Sequence, residues 1–362
     1  MIRAPRYGER SLAELLPSVA AALGASGFEN RLRLEPLTQA VVVVVDGLGI
    51  QQLVAAPTHA PILVSAAREQ APIDAAFPTT TPAGLATLTL GSPPGLHGFV
   101  GATFELPDFE CVLNPLHWDD QPSPTAVQPE PNLFSRFEGI EVRSHGPAAF
   151  ADSGMTKRLL NSARPMGYDT FDPRSITHAD ARLDYVYLPQ LDKVGHVDGP
   201  NTGPWNHCLR GIDNVVRSLR ERIPSSAAVI VTSDHGMVTV PDDRRINIDG
   251  TQFAADVRLL AGEPRMRHIY TSAPEAVRER WSTGLEGRAT VMLRAEAGQR
   301  GLFGEADDML MDRVGDVIAV AHDDWAMTSR IVDPKVSGLR GLHGALTEAE
   351  LLVPALVIRG VA

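Results

Sequence analysis

Cysteine is nearly absent: the 362 residues contain only Cys111 and Cys208, with no CxxC spacing. This excludes a disulfide framework and a thiolate metal cluster, fits a reducing compartment, and leaves both thiols as packing residues. A basic excess is also missing. Asp and Glu number 44 against 33 Lys and Arg, a net charge of −11, so there is no electrostatic footprint for a nucleic-acid polymer or an anionic membrane. A polyanionic substrate must then be met by local cations or metals. No stretch reads as a transmembrane helix, and Met1–Arg10 lacks the apolar core and cleavage site of a leader, so the expected location is the cytoplasm. Internal repeats, heptads and low-complexity tracts are absent too.

What is present is a chain with 44% hydrophobic and 21% charged residues, enough to bury a large core as one domain spanning 1–362. Its focus is Val41–Val45, five β-branched residues running into Asp46 and Gly47. A run without polar alternation suits a strand buried on both faces, as in a parallel sheet whose ligands gather at the strands' carboxyl ends. Asp46 by itself reads equally well as the cap of the following helix. Around it we expect a helix over 11–23, strands at 73–77, 140–143, 184–188 and 227–232, a helix carrying Leu209 to Leu219, and a last strand at 352–358 containing Pro354. This alternation defines an α/β fold with a doubly wound, mostly parallel central sheet flanked by helices. The proline-rich segment 101–130 reads as a lid-like excursion. Residues 241–325, with a short strand at 291–293 and a helix at 305–314, read as an inserted α+β subdomain.

Several other segments end in residues able to bind metal. Asp192 and His196 follow one expected strand, Asp234 and His235 follow another, and His343 precedes the last. With Asp46 they make three carboxylates and three imidazoles, expected on loops that parallel strands bring to one sheet edge. Each fragment alone is a common surface motif. Together, hard oxygen and borderline nitrogen donors suit two zinc ions, with manganese or iron as alternatives. His97 and His145, each before a glycine, are set aside as loop residues. Between Phe77 and Gly91 a hydroxyl-rich turn leads into a small apolar helix, with Thr81 the expected N-cap before Pro82.

Those residues resemble the alkaline phosphatase superfamily, in its nucleotide pyrophosphatase/phosphodiesterase branch, over about 38–240 and 340–358. The matching elements are Val45-Asp46-Gly47, the Thr81 to Gly98 segment, Asp192 through His196, Asp234-His235-Gly236 and Gly341 through Pro354. The resemblance implies that Asp46, Asp234 and His235 hold one zinc and Asp192, His196 and His343 the other. It also implies that Thr81 is the nucleophile of a two-step phosphoryl transfer through a phospho-threonine. The family's phosphoryl-binding Asn has no counterpart, since Ala102 occupies its position; the Thr81 amide or the Thr103 hydroxyl stands as its replacement. The Cys/Ser-x-Pro-x-Arg setting of sulfatases is absent.

The substrate expected is a small phosphorylated molecule, a nucleotide or a relative, cleaved at a diester or pyrophosphate bond. Phe99, Phe104, Trp118 and the 101–130 excursion would supply an apolar wall for its organic group. Arg265, Arg267, His268 and Tyr270 form either a site for a terminal phosphate or a solvated basic turn. A phosphomonoesterase or phosphonate hydrolase is the alternative, followed by a non-catalytic metal-binding protein. That last reading fits poorly with a hydroxyl beside the metals and no cysteine among the metal donors. The oligomeric state is not legible.

Overall fold

In the computed structural model, which describes residues 2–119, 121–250 and 252–361, the valine run lies inside a six-stranded sheet. The strand order is Ala355–Arg359, Ala228–Thr232, Gln39–Val45, Arg182–Leu188, Glu141–Pro147, Arg164–Tyr168. Every pairing is parallel except that of Ala355–Arg359 with Ala228–Thr232. Side chains alternate across a strand. Val41, Val43 and Val45 therefore enter the apolar layer that holds Leu209, Val216 and Leu219 of the Gly203–Arg220 helix. Val42 and Val44 enter the opposite layer with Leu15, Leu16 and Val19 of the Leu15–Ala22 helix. All five valines are fully buried, each contributing roughly 1.5–3 kcal/mol.

Departures from the expected elements have local causes. The first helix begins as a 3-10 turn, Leu12–Glu14, closed by a capping box between Ser11 and Glu14. The expected final strand is two: Leu352–Val353 pairs with Ile73–Asp74, and Ala355–Arg359 joins the main sheet. Pro354 separates them, because it has no N–H for a ladder. The strand expected over 73–77 is correspondingly only Ile73–Asp74, and the helix expected over 305–314 is confined to Asp308–Met311.

Within 241–325 a second, antiparallel sheet takes the order Leu259–Glu263, Met266–Tyr270, Val317–Ala321, Ala289–Leu293. The Pro274–Gly284 helix packs Val277 and Trp281 on it. Within 101–130, Phe104–Leu106 and Cys111–Leu113 form a hairpin. Among the described residues no helix is long and apolar enough to cross a membrane.

Candidate active site

Asp46 leaves the central strand with its amide bonded to the Leu188 carbonyl at 3.1 Å, so the parallel ladder itself fixes where the carboxylate stands. Gly47 follows at φ +73°, where a Cβ would lie 3.1 Å from Asp192; glycine permits both the left-handed turn and the close approach. Asp192 and His196 are placed on the Gln190–Asp198 helix rather than the expected loop. The four-residue spacing puts them on one helical face, with His196 Nε2 3.3 Å from Asp192 Oδ2. Asp234 and His235 follow Ala228–Thr232 directly. His343 comes from the far end of the chain, delivered by a two-residue antiparallel pairing of Gly341–Leu342 with Val238–Thr239. Its ring stacks on that of His235, centroids 3.7 Å apart.

Each of the three imidazoles uses Nδ1 against a backbone carbonyl: His196 with Gly341 and His343 with Thr79, both at 2.8 Å, and His235 with Gly236 at 2.9 Å. A carbonyl only accepts, so Nδ1 carries a proton, and in the neutral ring Nε2 faces the site with a lone pair. These nitrogens converge. His196 and His343 approach to 3.3 Å, and His235 Nε2 lies 3.4 Å from Asp46 Oδ1 and 3.7 Å from Asp234 Oδ2. Donor atoms of Asp46, Asp234 and His235 lie within 4.8 Å of one another, as do those of Asp192, His235 and His343.

The carboxylates have the matching defect. Asp46 Oδ1, Asp192 Oδ1 and Asp234 Oδ2 are buried without a hydrogen-bond partner, a costly state for an anionic oxygen unless a cation meets it. Burial, followed by the charges of Asp234 and Asp192, pushes the Asp46 carboxyl well up. Burial, followed by the neighbouring imidazoles, pushes His343 well down. Three carboxylates and three unprotonated imidazole nitrogens fit zinc, and two ions better than one.

The hydroxyl cluster resolves residue by residue. Thr79 Oγ1 donates to the Ala345 carbonyl at 2.8 Å and accepts from the Gly344 amide at 2.9 Å. Thr80, and not Thr81 as expected, is the N-cap, its hydroxyl facing the Ala83 amide. Thr81 is the first residue of the Thr81–Leu90 helix, its Oγ1 3.1 Å from His235 Nε2. With the ring in its neutral Nδ1–H form, the threonine hydroxyl is the donor. Gly84 brings the helix this close, since a Cβ there would lie 2.5 Å from the Asp234 carbonyl oxygen.

Phe99 does not join the expected substrate wall, and Thr103 does not take the expected phosphoryl-binding role. Phe99 is fully buried and packs against Phe104 and Trp118. Thr103 Oγ1 donates to the Gly262 carbonyl and accepts from the Gly262 amide, both at 2.9 Å, so it does not stand in for the missing Asn. Arg265, Arg267, His268 and Tyr270 form neither a phosphate site nor a solvated turn. All four are buried; Arg265 pairs with Glu350 at 2.7 Å, Arg267 with Asp333 at 2.6 Å, His268 meets the Val100 carbonyl, and Tyr270 donates to that of Arg313. His97 and His145 have protein partners, Thr87 and Asp184.

Two functional candidates escaped sequence reasoning. The Tyr187 hydroxyl donates to Asp46 Oδ2; its position on the strand beside the valine run, opposite Val44, was the available signal. Glu350 braces two ligand loops at once: its Oε1 accepts from the Ala345 amide and its backbone carbonyl from the Gly236 amide. Nothing in the local sequence marks it.

A cleft of about 440 Å³ opens from Asp46, Thr81 and Asp192. Its outer wall includes Pro115, Leu116 and His117 of the 101–130 excursion.

A mostly parallel sheet with acids and imidazoles at its carboxyl edge, and a hydroxyl at a helix start among them, defines an alkaline phosphatase-like hydrolase. Residues 40–346 match the type I phosphodiesterase / nucleotide pyrophosphatase family, and the chain belongs to it. An uncharacterised pyrophosphatase/phosphodiesterase of Schizosaccharomyces pombe is 28% identical over 192 residues, 48% of this chain and 39% of that protein; the match spans well under half of the relative's length. Among solved structures, murine ectonucleotide pyrophosphatase/phosphodiesterase 5 superposes with a TM-score of 0.65 at 19% identity, covering 89% of this chain and 88% of that one. An inactive variant of the murine protein in complex with AMP gives 0.66 at 18%, with the same coverage. The human counterpart gives 0.65 at 18%, covering 88% and 87%. At these identities the structural likeness speaks for the fold.

Proposed function

We propose that the protein hydrolyses diester or pyrophosphate bonds of small phosphorylated molecules through a phospho-threonine on Thr81, with two zinc ions resident. Asp46, Asp234 and His235 would hold one ion, and Asp192, His196 and His343 the other. When bound, the ions supply Lewis acidity that lowers the pKa of a hydroxyl or water and stabilises a departing oxygen. Family membership supports the reaction class, and the complex of AMP with a structural neighbour supports a small phosphorylated substrate. The observation that carries the role of Thr81 is its hydroxyl, alone of the three in the turn, directed at His235 among the donors.

The chemistry is two displacements. The Thr81 oxygen forms a bond to phosphorus as its proton passes to solvent water, and the bond to the leaving oxygen breaks with its electron pair. Water then displaces Thr81, which takes up the proton that the attacking water releases. The positive end of the Thr81–Leu90 helix faces the phosphoryl oxygens. Tyr187 holds Asp46 in orientation, and the carbonyls of Gly341, Gly236 and Thr79 hold the imidazoles.

Diesters are favoured over monoesters by the use already made of the arginines. A monoester dianion needs an extra cation close to the metals, but Arg265 and Arg267 are closed in ion pairs; among the described residues no arginine lines the cleft, and its one lysine, Lys193, lies over the Phe150 ring. The test is the ratio of kcat/KM for bis-p-nitrophenyl phosphate over p-nitrophenyl phosphate with zinc-loaded protein. A ratio above one is expected. Protein that binds two zinc ions yet cleaves neither ester would sink the catalytic reading, and a ratio below one would hand it to the monoesterase.

A further inference from the structure

The cleft's wall carries information about the substrate that the metal donors do not. From Thr81 it runs between Leu85 of the Thr81–Leu90 helix, Met155 and Leu159 of the Gly154–Leu159 helix, and Met166 of the Arg164–Tyr168 strand, out to Leu116 and Phe150. At about 440 Å³ it lies in the range of clefts that bury small organic ligands, roughly 300–1,000 Å³. Two of its apolar lining residues are open to water: Leu116 is 53% and Phe150 36% exposed, as at surfaces that receive an apolar ligand.

Hydroxyls along this wall are mostly committed to the protein. Tyr187 donates to Asp46, Thr89 to the Leu85 carbonyl, and Ser153 caps its helix through the Thr156 amide. Lys193 lies with its ammonium 5.5 Å from the centre of the Phe150 ring. Ser144, Tyr185, His117 and Lys193 also line the cleft, but the rest of the wall is largely apolar, and each donor or acceptor of a nucleoside left unpaired against it carries a cost that an alkyl or aryl group does not incur.

We propose that this cleft takes the uncharged apolar arm of the substrate ester, an alkyl or aryl group joined to the phosphate that reacts at Thr81, in preference to a nucleoside. This rests on the hydrolytic reading above. For an alkyl p-nitrophenyl phosphate, the Thr81 oxygen bonds to phosphorus, p-nitrophenolate leaves with the electron pair, and the alkyl phosphate stays on Thr81 until water displaces it.

The experiment compares methyl, butyl and octyl p-nitrophenyl phosphates with thymidine 5′-p-nitrophenyl phosphate on the zinc-loaded protein. In parallel, calorimetry measures binding of methyl, butyl and octyl phosphate to the Thr81→Ala variant. Specificity and affinity are expected to rise with chain length, by at most about fourfold per methylene, with the octyl ester ahead of the thymidine ester. The Leu116→Ser/Phe150→Ser variant is expected to reduce the octyl-to-methyl ratio. Both side chains are at the surface, so the fold tolerates the change. A flat chain-length series, or a thymidine ester cleaved faster than the octyl ester, overturns the assignment while leaving the hydrolase reading intact. Chain-length-dependent binding without cleavage of any ester keeps the cleft assignment and removes the hydrolase reading. Neither cleavage nor chain-length-dependent binding removes both.

Discussion

In the six-stranded sheet the charges that matter stand beyond the strand ends, whereas in the four-stranded sheet they stand in and beside a strand. Gln39–Val45 is apolar after its first residue and delivers Asp46 to a shared edge. Met266–Tyr270 instead carries Arg267 and His268 inside, with Arg265 just before it, all three fully buried. One sheet makes donors available to a ligand; the other consumes its charges in contacts with the protein. The link between them is Glu350. It accepts from two Arg265 nitrogens, Nε and Nη2, at 3.0 and 2.7 Å, and passes that constraint to the loops of His235 and His343 through Gly236 and Ala345. The insertion thus acts as a brace under the site rather than a part of it.

The largest expected effect is at Thr81. If the main sheet's edge is the reacting site, Thr81→Ala loses roughly 10⁴-fold or more in kcat, the scale of removing a nucleophile, while its zinc content stays at two ions by elemental analysis. Ser at this position is expected to restore part of the rate. An unchanged rate would reduce the hydroxyl to a helix-start residue.

Next in size is the brace. Arg265→Met strands the Glu350 carboxylate in the interior, and removing one partner of a buried ion pair typically costs about 3–5 kcal/mol. Denaturant titration is expected to show that loss, together with reduced activity, although Arg265 touches none of the proposed metal ligands. A double variant, Arg265→Met/Glu350→Gln, is expected to recover part of the stability, because no charge is left alone. If Arg265→Met is as stable and as active as the parent, the two sheets are mechanically independent.

These two sheets also differed in how far sequence reached them. The central strand, the parallel order and the convergence of Asp46, Asp192, His196, Asp234, His235 and His343 were legible because periodicity and strand-end position are local signals. Arg265 and Arg267 misled, since a lone stretch Arg-Met-Arg-His looks solvated until its partners, Glu350 and Asp333, are known from 85 and 66 residues away. Phe99 was placed on the wall for its size, but size equally favours a core position, and that is where it lies. The excursion does line the cleft through Pro115, Leu116 and His117; the rest of the apolar wall comes from Met155, Leu159 and Met166, ordinary residues whose exposure to a cleft depends wholly on tertiary packing.

Tyr187→Phe sharpens the comparison on the main-sheet side. It removes the hydroxyl that orients Asp46 without altering a metal donor, and loss of such an outer contact costs about 10–100-fold in metal affinity. Competition titration with a zinc chelator is expected to show one of two ions weakened, the one that Asp46 contacts. Equal weakening of both would mean that the two donor sets bind as a unit.

The smallest effect separates a brace that is buried on both sides from one that is not. Asp74 is buried, but its partners Arg3 and Arg6 are about two-fifths exposed, at 2.6 and 2.7 Å. Burial of Asp74 would raise its pKa; the hydrogen bonds from Arg3 and Arg6 outweigh this and hold it at about 2. A carboxyl depressed in the folded state stabilises above its unfolded pKa of about 3.9, and the contribution disappears as pH falls through about 2. With solvent screening the arginines, the effect is about 1–2 kcal/mol. The stability gap between the parent and Asp74→Asn is therefore expected to be constant above pH 5 and to close between pH 4 and 2. A gap that persists to pH 2 would mean that shape, and not charge, is what Asp74 provides, and that the N-terminal arm is held as tightly as the fully buried Arg265 pair.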